Sequence, residues 1–576
     1  MLSMTYTGRP ATAATDAVRR ARDFLLDHPH DYEAVRAGFA WPQLETFNFA
    51  LEWFDVVAGE HPDRAAVTIV EEDLTAHTHT YGELAARSDQ VAKWLIDLGL
   101  HRGDTMIVML DNTIELWEVL FGLLKAGGVA IPTSTLLSDV DLAWRVETAD
   151  ARFAIAPTRL TGRFHLVRPG TTLIGLGDAL GEGWVDYATS ADAAEDFTPD
   201  GPTPATDTSL LYFTSGTTAH PKLVEHTQVS YPVGHLSTMY WLGVRPGDVH
   251  LNISSPGWGK HAWSNFFSPF LAQATVFIFN YARFHAETLL KIMDTYQVST
   301  FCAPPTVWRM LIQADLSHLT KPPRELVGAG EALNAEVINR VRDAWNNTIR
   351  DGYGQTEMTC SIGNSPGQPI RPGAMGRPMP GYAVALLDPA TETVVEGVGE
   401  GEICLDLSVH HLGLMGGYYA ADDLTAEATR GGYYHTGDIA ARDEEGYLTY
   451  VGRADDVFKA SDYKISPFEL ESALMLHAAV AECAVVPSPD ALRGAVPKAY
   501  VHLAAGHAAG PDVARSIFAH CRSHLNGYQL VRIVEFVDTL PKTVSSKIRR
   551  VELRSAEAER VASGDREGQF FDRDFR

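Results

Sequence analysis

Short apolar runs and amphipathic segments alternate along the first third of the chain. Residues Tyr81–Leu98 place apolar side chains at helical spacing, and Thr105–Leu110 is an apolar run bounded by aspartates. A second amphipathic segment, Ile114–Lys125, ends at a glycine pair, and the apolar run Val129–Pro132 follows it. Strand–helix–strand alternation of this kind predicts a parallel sheet covered by helices.

The rest of the chain divides into regions of different pattern. Residues 186–208 are acidic, rich in Pro, Thr and Ala, and without a period, which predicts a surface linker. Residues 376–452 consist of short runs punctuated by glycine, which is typical of a small antiparallel β unit, and a compact α+β segment is predicted after Gly452. An N-terminal helix is predicted to begin at Thr15-Asp16. The predicted strands of a second α/β stretch are Leu210–Phe213, Thr275–Asn280, Ser299–Ala303 and Glu325–Gly328.

Composition and charge exclude several classes of protein. The chain has 576 residues and carries 47 Lys and Arg against 73 Asp and Glu, a formal net charge of −26. So acidic a protein is repelled by nucleic acid and by anionic membrane surfaces, so neither is expected as a partner. The 5 cysteines form no C-x-x-C pair, which argues against a disulfide framework or a zinc knuckle. We see no secretory signal and no apolar run long enough to span a bilayer, and we therefore expect a cytoplasmic protein without membrane insertion.

The segment Leu211–Lys222, LYFTSGTTAHPK, carries the strongest chemical signal. Small residues after an apolar strand let backbone N–H groups approach an anion, the hydroxyls add donors, and the lysine adds a positive charge. The pattern differs from the G-x-x-x-x-G-K-[ST] loop, which argues against a Walker-type NTPase. A Ser/Thr/Gly-rich turn without a ligand has the same composition. The candidate phosphate-binding residues are Thr214, Ser215, Gly216, Thr217, Thr218 and Lys222.

This segment resembles the phosphate-binding motif of the acyl-adenylate-forming (AMP-binding) enzymes, and further motifs of that family follow in order. Flanking residues such as SSPGW and SPDALRGAVPKAYV are similar to the medium-chain acyl-CoA synthetase branch. The further motifs are Gly330-Glu331-Ala332-Leu333, Asp351–Glu357 (DGYGQTE), His435-Thr436-Gly437-Asp438, Gly452–Asp456 (GRADD) and Pro541–Lys547 (PKTVSSK).

The resemblance implies a role for each matching residue. Lys547, Glu357 and Thr356 would be catalytic; Lys547 would supply a cation near the α-phosphate, and Glu357 would hold Mg²⁺. The alternatives are a solvated surface lysine and a glutamate at a helix start. Asp438 and Arg453 would bind the ribose, or would form a structural ion pair. The remaining residues implied in ATP binding are Gly330, Glu331, Ala332, Asp351, Gly352, Tyr353 and Gln355, of which Tyr353 would stack on adenine.

The resemblance also implies a fold and a conformational cycle. The expected fold class is α/β: a large N-terminal domain of two α/β subdomains plus a β unit, residues 1–453, and a small mobile α+β C-terminal domain, residues 454–576. The C-terminal domain would rotate about a hinge at Asp455 between an adenylating pose and a transfer pose.

Three positions depart from the glycine pattern of the family. Ala219 stands in the phosphate loop and Ser546 in the lysine loop, both modest changes. Asp462 stands beside Tyr463 where the family has a glycine that lets the pantetheine thiol approach. Asp462 and Tyr463 are therefore candidate residues of the acceptor channel. The aspartate either narrows the channel or adopts left-handed backbone with its side chain outward.

Trp258 matches a tryptophan that walls the acyl pocket in this branch, and Lys260 and His261 follow it. A lysine and a histidine beside a pocket favour a polar, aromatic or anionic acid. Trp258 could instead be a core residue, and Lys260 and His261 could face solvent.

The resemblance implies ATP-dependent activation of a medium-chain, branched or aryl carboxylic acid to an acyl-adenylate, with release of pyrophosphate and transfer to coenzyme A. The expected cofactors are ATP, Mg²⁺ and coenzyme A; the partner is a small-molecule carboxylic acid, and a homodimer is left open. A second hypothesis keeps adenylation and passes the acid to a non-thiol nucleophile, as in an amide synthetase. A third is an inactive nucleotide-binding scaffold, against which the presence of Lys547, Glu357, Asp438 and Arg453 argues.

Overall fold

The computed structural model describes residues 6–214, 221–330, 333, 335–460, 463–490, 493–542 and 548–575. The chain divides into two compact units. The first takes the described residues of Met1–Thr214, Pro221–Val384 and Leu405–Tyr434, and the second takes those of Ala385–Cys404 and His435–Arg576. Among the described residues, no helix is both long enough and apolar enough to cross a bilayer.

Within the described residues, the first unit holds a nine-stranded sheet. Its central strands run parallel, and antiparallel strands close both edges. The buried, near-continuous apolar strands are those expected when helices cover both faces. In spatial order the strands are Arg377–Pro378, Ile362–Gly363, Arg350–Tyr353, Glu325–Gly328, Thr300–Ala303, Val249–Asn252, Thr275–Phe279, Ala65–Val70 and Ala76–Thr80.

A second sheet of the first unit has eight strands in the described part of the chain. Most are parallel, and one edge is antiparallel. In spatial order they are Gly417–Tyr418, Lys222–Thr227, Thr208–Thr214, Val129–Pro132, Thr105–Val108, Phe153–Pro157, Thr172–Leu176 and Trp184–Asp186.

Local capping explains where the helices of this unit begin and end. Thr80 and Glu83 form a capping box at the start of Tyr81–Asp97. Gly127, at φ 73°, ends Ile114–Ala126 in the left-handed conformation that glycine adopts without strain. The other α-helices described are Ala13–Asp27, Tyr32–Gly38, Asp55–Glu60, Asp139–Thr148, His235–Leu242, Gly259–Ala262, Ser268–Leu271, Ala286–Thr295, Pro305–Leu311, Ala335–Trp345 and Asp422–Ala428. Short 3₁₀ and π segments are Phe49–Phe54, Thr158–Phe164, Tyr187–Asp192, Trp263–Phe267, Leu316–His318 and Arg430–Gly432.

Aromatic side chains fill much of the core of the first unit. The rings of Phe54 and Phe121 stack with centroids 3.9 Å apart, and Phe266 and Phe270 pack against Phe121. All four side chains are buried. The core therefore joins the π segments, helix Ile114–Ala126 and helix Ser268–Leu271 into one packed body.

The second unit is built of small sheets and three α-helices in its described part. A four-stranded sheet, most of whose residues belong to this unit, comprises Val384–Leu387, Gly399–Asp406, Tyr433–Arg442 and Leu448–Arg453. A second comprises Val480–Asp490, Gly494–Leu503, Ile533–Phe536 and Gln569–Phe571, and a hairpin pairs Phe458–Ala460 with Tyr463–Ile465. The helices are Pro467–Leu474, Pro511–His524 and Arg550–Ser563, with a 3₁₀ turn at Asp572–Phe575.

The predicted α/β class and the division into a large and a small body are confirmed, and two local predictions are wrong. The N-terminal helix begins at Ala13, because Thr12 and Thr15 form a capping box ahead of the predicted start. Residues 186–208 are more than a surface linker: they contain the 3₁₀ segment Tyr187–Asp192, and the Tyr187 hydroxyl donates to the Glu118 carboxylate at 2.6 Å. The single aromatic residues that anchor this stretch have no periodic pattern to reveal them. The predicted boundary at residues 453 and 454 remains a prediction.

Candidate functional site

Lys222 and Glu357 lie on either side of Tyr418 in the first unit. Strand Lys222–Thr227 pairs antiparallel with both Thr208–Thr214 and Gly417–Tyr418. The ammonium of Lys222 lies 4.7 Å from the centroid of the Tyr418 ring, and the Tyr418 hydroxyl donates to Oε1 of Glu357 at 3.0 Å. Tyr418 thus supports one positive and one negative side chain. Residues 215–220, which include Ser215, Gly216, Thr217 and Thr218, lie outside the described residues.

His226 fixes the backbone next to Glu357. Burial lowers the pKa of His226 to about 3, so its imidazole is neutral near pH 7. Its Nε2 lies 2.7 Å from the carbonyl oxygen of Thr356 and therefore donates to it. Nδ1 then accepts from the hydroxyl of Ser230 at 3.1 Å. Sequence reasoning missed both His226 and Tyr418; the only signal for His226 is its place shortly after Lys222.

The segments that contain Leu333 and Gly352, both predicted to lie near adenine, meet at the Asp351 carboxyl. The Asp351 carboxyl is buried and accepts from the backbone N–H of Gly352 at 2.9 Å and from that of Leu333. Burial raises the pKa of Asp351 to about 7. Gly330 is exposed at φ 112° in the same stretch, while Glu331 and Ala332 lie outside the described residues.

Close packing constrains the DGYGQTE segment. A Cβ on Gly352 would lie 2.4 Å from the Trp241 ring, so only glycine fits against that indole. Tyr353 pairs with Ile362 at the edge of the nine-stranded sheet. The Oε1 of Gln355 accepts from the Tyr434 hydroxyl at 3.0 Å.

An apolar cavity lies beside the short helix Gly259–Ala262. Its described lining is mostly aliphatic and phenyl, including Leu120, Leu124, Phe266 and Phe267, with Tyr212 and His261 as its polar members. Burial lowers the pKa of His261 to about 3, and its Nε2 donates to Oδ1 of Asn112 at 2.9 Å. His261 therefore adds no charge to the cavity wall.

Trp258 and Lys260 are placed differently from His261. Neither belongs to the described lining of the cavity, although both adjoin it in sequence. Trp258 precedes the helix at its N-cap and is half-buried. The ammonium of Lys260 donates to the carbonyl oxygen of Ala329 at 3.2 Å, next to Gly330. Lys260 thereby connects the segment predicted to line the acyl pocket with the segment predicted to lie near adenine.

In the second unit, Asp438 and Arg453 face each other across neighbouring strands. Arg453 Nη1 lies 3.5 Å from Asp438 Oδ1, and the Tyr450 hydroxyl donates to the same oxygen at 3.1 Å. Asp455, the predicted hinge, has its Oδ1 3.5 Å from Arg453 Nε. Gly437, at φ 72°, lies directly before Asp438 within strand Tyr433–Arg442, and a Cβ there would lie 2.9 Å from Arg453 Nη2. The two side chains form the ion pair that was the structural alternative, and a role of this pair in binding ribose stays a prediction.

Two predicted residues of the second unit, Lys547 and Asp462, lie outside the described residues. Tyr463 is 55% exposed, and its ring stacks on Tyr528 with centroids 4.6 Å apart.

Comparison with known proteins gives matches along most of the chain. Residues 54–419 match the sequence model of the AMP-binding enzymes, and residues 469–547 match that of the AMP-binding enzyme C-terminal domain. The 4-hydroxybutyrate–CoA ligase 1 of Metallosphaera sedula is 41% identical over 520 residues, which cover 90% of this chain and 88% of the relative. The mitochondrial acyl-coenzyme A synthetase ACSM3 of Homo sapiens is 34% identical over 543 residues, 92% of each chain.

Solved structures agree with the sequence matches. The anthranilate CoA ligase AuaEII in complex with anthranoyl-AMP superposes with a TM-score of 0.79 at 26% identity, covering 90% of this chain and 99% of that one. The Brucella canis acyl-CoA synthetase superposes with a TM-score of 0.71 at 31% identity, covering 92% and 99%.

Proposed function

The chain belongs to the AMP-binding enzyme family, and from that membership we propose that it is an AMP-forming ligase that joins a carboxylic acid to coenzyme A. The match to the family models confirms the resemblance that the motifs predict. The observation that carries the proposal is that relatives matching about nine-tenths of the chain are CoA ligases and acyl-CoA synthetases. They favour a thiol acceptor over the non-thiol nucleophile.

The reaction follows in two balanced steps. A carboxylate oxygen of the acid attacks the α-phosphorus of ATP, the bond to the β-phosphate oxygen breaks, and pyrophosphate leaves. The thiol of coenzyme A then attacks the acyl carbon, the bond to the AMP oxygen breaks, and the thiol proton passes to solvent. Both steps gather negative charge, so positioning and cations supply most of the catalysis. Lys222 and Lys547 are the cations that we assign to the phosphates.

Glu357 fits a Mg²⁺ ion that accompanies ATP. It is a half-buried carboxylate, its Oε1 is oriented by the Tyr418 hydroxyl, and its backbone is fixed through Thr356 and Met415. Mg²⁺ prefers one or two carboxylates together with phosphate oxygens. A bound Mg²⁺ would neutralise phosphate charge, and Glu357 would orient it.

We assign the apolar cavity to the acyl chain of the acid. Its wall combines leucine and phenylalanine side chains with a neutral His261, and the ammonium of Lys260 is directed to a backbone carbonyl. An ionised group at the far end of the acid would be desolvated there without a counter-charge. The expected substrates are therefore short or medium acids with an uncharged chain, which includes aryl acids and an ω-hydroxy acid such as 4-hydroxybutyrate.

Mass spectrometry of the reaction products tests the proposal. The protein is incubated with ATP, Mg²⁺ and single acids (hexanoate, benzoate, 4-hydroxybutyrate and the dianion adipate), with and without coenzyme A. We expect acyl-CoA and AMP from at least one monoanion and none from adipate. Acyl-AMP that accumulates in the presence of coenzyme A would instead support a non-thiol acceptor, and Asp462→Gly would then show whether Asp462 blocks the thiol.

The rotation about Asp455, the cytoplasmic location and a homodimer also stand as proposals. The five cysteines all lie in the described part of the chain, where they are buried and not joined in disulfides, which fits a reducing compartment. Light scattering in solution would decide between one chain and two.

A further inference from the structure

Three potential metal ligands of different chemistry meet between two neighbouring strands of the second unit. Glu402 and Cys404 stand two residues apart on Gly399–Asp406, so their side chains leave the same face of the strand. His435 faces them from the adjacent strand Tyr433–Arg442. The side chains of Glu402 and His435 are 10% and 5% exposed, and Cys404 is fully buried.

The two distances from His435 approach those of a coordination sphere, and the third separation in the cluster is at most 4.8 Å. Nδ1 of His435 lies 3.0 Å from Oε2 of Glu402 and 3.6 Å from Sγ of Cys404, and one ligand atom from each residue lies within 4.8 Å of the others. Tetrahedral Zn²⁺, with bonds of about 2.0 Å to nitrogen and oxygen and about 2.3 Å to sulfur, spaces its ligand atoms about 3.3 to 3.6 Å apart. Small side-chain shifts would therefore bring all three atoms onto one ion.

We propose that Glu402, Cys404 and His435 form a binding site for a thiophilic divalent cation of the Zn²⁺ class. A thiolate, an imidazole nitrogen and a carboxylate suit zinc or cobalt and suit Mg²⁺ poorly, because Mg²⁺ favours oxygen ligands. On binding, the Cys404 thiol releases its proton to solvent and the sulfur forms a bond to the metal. The site uses none of the residues assigned to ATP or to the acid.

The second oxygen of Glu402 links this site to the strand segment Thr436–Asp438, which contains the residue proposed to bind ribose. Oε1 accepts the backbone N–H of Gly437 at 2.9 Å, which leaves Oε2 to face His435. Thr436 donates its hydroxyl to the carbonyl oxygen of Ile403 at 2.7 Å. A metal held by these strands would fix the Glu402 carboxylate and, through its contact with Gly437, would stiffen the strand segment Thr436–Asp438.

Cobalt titration of the untagged, metal-free protein tests the proposal. Co²⁺ is added anaerobically with a non-thiol reductant, and the thiolate-to-cobalt charge-transfer band is recorded in the near ultraviolet. We expect a band that saturates at one equivalent and is displaced by Zn²⁺. Cys404→Ser should abolish it, and Cys521→Ser, which removes another buried thiol of the same unit, should retain it. No band in the wild type, or an equal band in Cys404→Ser, would overturn the site.

Two further measurements guard against misfolded variants. Glu402→Gln keeps an oxygen for the Gly437 N–H while removing the charge, so it should stay folded by circular dichroism and bind Co²⁺ more weakly. Zn²⁺ should slow amide hydrogen exchange in the peptide that contains Gly437 in the wild type and leave it unchanged in Cys404→Ser. Equal affinity in Glu402→Gln, or equal protection in both proteins, would mean that the cluster is only a hydrogen-bonded support.

Discussion

At the scale of single residues, Asp351 makes stability depend on pH. Its folded-state pKa is raised by burial to about 7, whereas an unfolded aspartate titrates near about 3.9. The folded state therefore binds the proton more tightly, and stability falls as pH rises from about 4 to about 7. Asp351→Asn keeps an oxygen for the N–H of Gly352, so the Tm of the variant relative to wild type should increase over this window, by a few degrees at pH 8.

Asp294 is the control for this measurement. It is partly exposed, and hydrogen bonds from Thr320 and Lys321 lower its pKa. Asp294→Asn should lose stability relative to wild type above about pH 4, the opposite sign to Asp351→Asn. Thermal unfolding of the three proteins from about pH 3 to about pH 8 should show a Tm difference from wild type that rises between about pH 4 and about pH 7 for Asp351→Asn and stays constant above about pH 4 for Asp294→Asn. A Tm difference between Asp351→Asn and wild type that does not vary with pH would contradict the raised pKa.

We expect Tyr418 to affect the Mg²⁺ concentration that the enzyme requires, because its hydroxyl orients Glu357. Tyr418→Phe removes the hydroxyl that donates to Glu357 and retains the ring under Lys222. We expect a several-fold higher Mg²⁺ concentration for half-maximal pyrophosphate exchange, with little change in KM for ATP. Tyr418→Leu removes the ring as well and should also raise KM for ATP. Wild-type Mg²⁺ dependence in Tyr418→Phe would exclude this contact from metal binding.

The residues of the site could be predicted only where one motif contains them. Local sequence motifs indicate a chemical role for Lys222, Glu357 and Asp438, although these roles stay predictions. Tyr418 and His226 support those residues from distant positions in the sequence. The sequence around Tyr418 and around His226 does not reveal which groups these two side chains contact. Tertiary packing brings those groups together from distant parts of the chain.

At the scale of elements, Gly437, directly before Asp438 in strand Tyr433–Arg442, leaves room for the guanidinium of Arg453. A Cβ at Gly437 would meet the Arg453 guanidinium, and φ 72° disfavours any other residue. Gly446, at φ 82° in the hairpin of the same two strands, has open space around it. Gly437→Ala and Gly446→Ala should therefore lower Tm to a similar degree, and only Gly437→Ala should raise KM for ATP several-fold.

Steady-state kinetics with ATP as the varied substrate separates the two variants. If both raise KM equally, backbone strain in the hairpin is the cause and the contact with Arg453 is not. If neither does, Arg453 does not contribute to nucleotide binding.

Elements with a clear pattern of apolar residues or a capping motif can be predicted from the sequence, whereas a segment held by one side-chain contact cannot. Glu325–Gly328 was predicted to the residue, and helix Tyr81–Asp97 to within one, because an apolar run or a capping box marks their ends. The 3₁₀ segment Tyr187–Asp192 was missed because its stability comes from one hydroxyl donating to Glu118. Order in such a segment depends on a partner that is far away in the sequence.

At the scale of the whole molecule, two arginines tie the predicted hinge to the helix that follows Lys547. Arg550 and Arg554 lie on one face of Arg550–Ser563 at i and i+4 spacing. Arg554 donates to the Asp456 carboxylate and to the carbonyl oxygen of Asp455 at 3.2 Å. Arg550 donates to Asp456 at 3.3 Å and to Glu471 at 2.6 Å. A rotation about Asp455 would therefore carry this helix, and the lysine loop before it, with the hinge turn.

Weakening the contacts of Arg554 with the hinge residues should slow adenylation, because that step requires Lys547 to be in place. Arg554→Gln removes a part-buried, charge-assisted contact, and such contacts contribute about 1.5 to 3 kcal/mol, so adenylation should slow by about tenfold or more. Arg549→Gln is the matched control, since Arg549 is 53% exposed and pairs with Glu552 three residues away at the start of the same helix. Pyrophosphate exchange at saturating substrates, with Tm to verify folding, compares the two variants. Equal rates in folded Arg554→Gln and Arg549→Gln would mean that the lysine loop is positioned independently of the hinge turn. Any movement that places Lys547 would then have to arise within the lysine loop itself.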